Sequence, residues 1–147
     1  MAGLSLMLDA LADNVRDAID GIDWEIQVEP WLVIVPSPIT IDIFPADPPE
    51  NPEMAGFGDL EGSHFFTVRA RTNTPDTDAT RDVLIALMDI EDEHSIHVAI
   101  VDDQTLNGLA TQVVVNGGTG LSAFPSVDGT GAYLGVQWTV EVVDVRT

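Results

Sequence analysis

The stretch AYLGVQWTVEVVDV, residues 132–145, alternates through its middle. Leu134, Val136, Trp138, Val140 and Val142 fall on one face, against Gln137, Thr139 and Glu141 on the other. A period of two with one polar face is the pattern of a half-buried β-strand. Such a strand needs neighbouring strands beside it and an apolar layer over its inner face.

That layer is written at the start of the chain. Leu4, Leu8, Leu11, Val15, Ile19 and Ile22 recur every three or four residues, and Met7 and Ala18 widen the stripe. Asp9, Asp13, Asn14, Arg16, Asp17 and Asp20 take the opposite face. The spacing predicts an amphipathic helix of about four turns, ended by Gly21 and packed on a sheet. A helix lying on a membrane surface would carry a basic polar face, and this one is acidic.

Between these ends lie the remaining strands. Trp24, Ile26 and Val28 alternate with Glu25, Gln27 and Glu29, Trp31 to Val35 is continuously apolar, and Ile39, Ile41 and Ile43 alternate with Thr40 and Asp42. Pro30, Pro36 and Pro38 punctuate these pieces, which places at least one of them at a sheet edge. From His64 to Arg71, Phe66, Val68 and Ala70 share one face and Phe65, Thr67, Arg69 and Arg71 the other. Thr74-Pro75 reads as an N-cap and first helical position, with Asp76 and Asp78 complementing the positive helix end. Val83, Leu84, Leu87, Met88 and Ile90 form that second helix's buried stripe. Ser95 to Asp103 fits two patterns. Ile96, Val98 and Ile100 alternate as in a strand, whereas Ser95 ahead of Ile96, Ala99 and Ile100 fits a short capped helix; intrinsic propensity favours the strand. Gln112 to Val115 is a short strand. Pro45 to Gly62 and Asn116 to Gly131 read as two long loops. The expected architecture is therefore α+β, one domain over residues 1–147. A mixed, mainly antiparallel sheet is packed on one side by two amphipathic helices.

Composition narrows the function classes. The 147 residues carry 25 acids against five basic residues, all Arg, for a formal charge of −20. No basic cluster exists to displace phosphate counterions, which argues against a nucleic-acid grip. A hydrophobic content of 45% sets the chain apart from disordered acidic tails. Absence of cysteine removes disulfides, zinc-thiolate sites and thiol nucleophiles together. The longest apolar run, Trp31 to Val35, is strand-sized and does not span a bilayer. Met1 to Asp20 carries acids early and lacks a basic n-region, so it does not read as a secretory signal. Assembly in the cytoplasm is the default expectation.

The candidate chemistry is thin. Asp102-Asp103 and Glu91-Asp92-Glu93 could meet a cation, but neither matches a calcium loop, and solvated acidic turns explain them. His94 and His97 are three apart and His64 could join them, yet no HExxH pattern or third ligand follows from the spacing. Gly120-Leu121-Ser122-Ala123-Phe124 lacks the second glycine of a nucleophile elbow. Asn116-Gly117-Gly118-Thr119-Gly120 has no Lys after it and opens no helical pattern, so it is not a phosphate cradle. No catalytic, cofactor-binding or metal-ligating set emerges, and the expectation is a non-enzyme without cofactors.

The order of elements carries a resemblance. A leading amphipathic helix and strands with a proline-rich acidic loop precede a strand ending in Arg71-Thr72-Asn73. Then come TPDTDATRDVLIALMD (residues 74–89), IVDDQTLNGLATQVVV (100–115), a glycine loop and GAYLGVQWTVEVVDV (131–145). This order resembles the tail terminators of long-tailed phages, in the tail-completion superfamily, over nearly the whole chain. Its most telling pieces are Asp76 to Leu87, the Thr105-Leu106-Asn107-Gly108 turn, and Ala132 to Val145. The resemblance implies a mixed sheet with helices on one side, and it tilts Ser95 to Asp102 toward a short helix. It also implies a virion protein assembled in the host cytoplasm: a homohexameric ring that caps the tail tube, stops its growth and meets the head's connector or stopper protein. DNA would pass through the lumen without specific binding, eased by carboxylates that repel phosphate. Met54, Phe57 and Leu60 in the first long loop, and Leu121 and Phe124 in the second, are the expected partner contacts. Arg69 and Arg71 are the scarce cations expected to meet a neighbouring subunit's acids. A head-side neck protein of the same superfamily is the alternative within this class. Outside it stands a small ligand-binding or enzymatic domain from a halophile.

Overall fold

A computed structural model of the chain describes residues 4–22, 26–31, 39–45, 59–60, 63–72, 78–106, 108–125 and 132–143. In chain order the elements are α1 (Leu4–Ile19), β1 (Ile26–Glu29), β2 (Ile39–Pro45), β3 (Asp59–Leu60), β4 (Ser63–Thr72), α2 (Asp78–Met88), α3 (Ile96–Asp102), β5 (Gln112–Pro125) and β6 (Ala132–Val143). The strands form one sheet in the order β1-β2-β4-β6-β5, with β3 paired to the start of β4. β1 runs parallel to β2, and every other pairing is antiparallel. The α+β architecture and mixed, mainly antiparallel sheet expected from the patterning are what the chain adopts.

Register explains how the alternating faces meet. Val68 lies opposite Trp138, Phe66 opposite Val140 and Ala70 opposite Val136. On the other side of β4, Ile43 faces Val68 and Ile41 faces Ala70. These residues are buried in one core with Met7, Leu8, Leu11, Ala12, Val15 and Ala18 of α1. α1 packs on β1 and β2, the principal helix contact of β6 is with α2, and α3 contacts β5, α1 and α2. Of the predicted α1 stripe, Met7, Leu8, Leu11, Val15 and Ala18 are buried, while Ile19 and Ile22 are half-buried. Past the helix, Gly21 takes a φ of +92°, in the left-handed region that glycine tolerates best.

Four expectations need correction. Ser95 to Asp103, whose pattern fits both a strand and a short helix, forms a helix. Ser95 Oγ accepts a hydrogen bond from the Val98 amide at 3.2 Å, and Ile96 and Ile100, one helical turn apart, are both fully buried. There are accordingly three helices among the described residues, not two. The second long loop is shorter than expected, because Gly117 to Pro125 continues β5 alongside β6, with register shifts at Val115/Gly117 and Thr119/Ser122. Glycines sit readily in such bulged strands, and the neighbouring strand supplies the pairing that local propensity lacks. In the first long loop, Asp59–Leu60 pairs with β4 as β3. Finally, Ile90 lies beyond the end of α2 and is 64% exposed, outside the buried stripe of Val83, Leu84 and Leu87.

The turn before β5 is unusual. Leu106 holds a φ of +46° with its side chain fully buried. A left-handed conformation costs a non-glycine residue about 1–2 kcal/mol. Burial of the leucine side chain, worth about 1.5–3 kcal/mol, offsets that cost. The backbone is tied by Ala110 N donating to Thr105 O at 2.8 Å and Gly108 N to Thr105 O at 3.0 Å.

Candidate functional site

Two polar regions are built by the fold, one on each side of the sheet. The first lies on the face away from the helices, where odd-numbered β4 residues and even-numbered β2 residues point. Register sets Asp42 opposite Arg69 and Thr40 opposite Arg71. Asp42 is fully buried and Arg71 nearly so. Arg69 grips Asp42 with two bonds, Nε to Oδ1 at 3.2 Å and Nη2 to Oδ2 at 2.7 Å. Arg71 Nη2 donates to the same Oδ2 at 3.2 Å. The Arg69 guanidinium also stands 5.0 Å from the centre of the Phe44 ring, a cation–π distance. Across β4's other edge, Gln137 lies opposite Arg69 and Gly135 opposite Arg71. Two guanidiniums converging on one buried carboxylate satisfy its lone pairs through charge-assisted bonds. Asp42 in that position has no surface on which to act as a general base.

The second region is an open groove of about 340 Å³ at the seam of α1 and α3. Asp17, Glu93, Asp102 and Asp103 line it, together with Asn14, Ser95 and the small walls of Ala18 and Ala99. One pair of its polar groups ties the two helices together, and another caps α3. Asn14 Nδ2 donates to Asp103 Oδ2 at 3.1 Å, and Ser95 Oγ serves as the α3 cap. Just outside, His94 Nδ1 meets the Ala18 carbonyl at 2.7 Å, and its Nε2 lies 3.5 Å from Glu93 Oε1. Ala18 lies in the last turn of α1, whose carbonyls have no intrahelical donor, so His94 caps that end from the α2–α3 connection. Ser95 and His94 are adjacent in sequence, but each is committed to a different helix end and they do not form a nucleophile–base pair. Among the described residues no group of three or more His, Cys, Asp or Glu side chains could hold a metal ion.

The expected contact residues divide. Met54 and Phe57 lie outside the described residues. Leu60 belongs to β3, and Leu121 and Phe124 to β5, with their side chains outside the described set. Arg69 and Arg71 do share one strand face. Their described ion pairs, however, are made with Asp42 of the same chain rather than left for a neighbour. Sequence reading missed Asp42 as the anchor of both, and only the β2–β4 register could have revealed it. Arg16 is likewise engaged within the chain, at 2.9 Å from Asp13 and 3.1 Å from the Val28 carbonyl. No described helix is long and apolar enough to cross a membrane. No protein-family model matches the chain, and no curated protein matches it.

Proposed function

We propose that this chain is a structural virion protein that caps a phage tail tube as a ring, ends tube growth and offers the surface to which the head joins. The observation that carries this reading is α3. Propensity argues for a strand over residues 96–102, the resemblance to tail terminators implies a helix there, and the chain forms a helix. The mixed sheet with helices on one side agrees with the same resemblance. Charge supports it as well. The net charge is −20, and Arg69 and Arg71 are turned onto the buried Asp42 of their own chain. A pore lined by such a protein would repel DNA phosphates and let the duplex slide.

The test is electron microscopy of tails assembled without the protein. Overlong tubes and unjoined heads are expected. Tubes of normal length with unjoined heads would point instead to a head-side neck protein, and normal tails on joined heads would overturn the proposal. A second arm replaces residues 54–58 by a Gly-Ser linker, leaving β3 intact. Overlong tubes with this variant would place tube recognition in Met54 and Phe57; normal capping would remove them from that role.

A further inference from the structure

We draw no further inference here: the strongest candidate, the open groove between α1 and α3 lined by Asp17, Glu93, Asp102 and Asp103, is a cluster of carboxylates beside which nothing in the structure points to a ligand or shows what covers it.

Discussion

Trp138 and Asp42 illustrate opposite ways in which one side chain holds this sheet. Trp138 is 7% exposed and shares the core with Leu8, Leu11 and Val15, as the alternation of residues 134–142 predicts. Trp138→Ala removes a large buried ring from the central part of β6, and about 3–5 kcal/mol of stability should be lost. Against a total of about 5–15 kcal/mol for a domain, that threatens folding. Urea denaturation reads the loss, and a change below about 1 kcal/mol would mean the ring packs poorly. Asp42 works through charge. Asp42→Ala leaves two largely buried guanidiniums without their shared carboxylate, a change expected to cost about 3–5 kcal/mol. Asp13→Ala breaks the exposed pair with Arg16 and should cost only about 0–1 kcal/mol. Equal losses from the two variants, measured in the same denaturation series, would show that the Asp42 cluster does not support the fold. Asp42 was legible as a polar residue in an alternating strand. Its partners were not, because they lie 27 and 29 residues away and depend on register.

At the scale of elements, local patterns were readable and pairing-dependent ones were not. α1 could be traced from its apolar spacing and its terminal glycine, since both are properties of adjacent turns. Residues 96–100 were ambiguous because Ile96, Val98 and Ile100 satisfy an alternating pattern while Ile96 and Ile100 also satisfy a helical one. Packing decides between them: both isoleucines are buried, Val98 is only half-buried, and Ser95 closes the first turn. The extension of β5 was hidden by its glycines, which read locally as loop and are accommodated only because β6 is present alongside. The cap at Ser95 is open to direct measurement. Ser95→Ala should lower stability by about 1 kcal/mol, and Ser95→Asp, which also caps, should restore most of it. Faster amide exchange at Val98 in the alanine variant would accompany the loss. An alanine variant as stable as the parent, with Val98 protection unchanged, would show that α3 is held by its buried isoleucines alone. Of the candidate contact residues, the arginine pair's common face was legible, whereas its engagement with β2 was not.

For the whole molecule, the dominant quantity is a same-sign charge of −20 on 147 residues. On the proposed reading, closing several such chains into a ring opposes like charges. Salt screens exposed charges beyond about 8–10 Å at physiological strength, so association should strengthen as salt rises. Light scattering across a salt series should show small species at low ionic strength and rings at higher strength. Dissociation on adding salt would mean that attractive ion pairs between copies outweigh the repulsion. The order of strands has a different consequence, in the timing of synthesis. β6 comes after β5 in the chain yet sits between β4 and β5 in the sheet. Until β6 has left the ribosome, β4 lacks its pairing with that strand and β5 has nothing to pair with. The nascent chain therefore holds Phe66, Val68 and Ala70 beside an unpaired β4 edge while the residues between β4 and β6 are made, and β5 joins the sheet only once β6 has emerged.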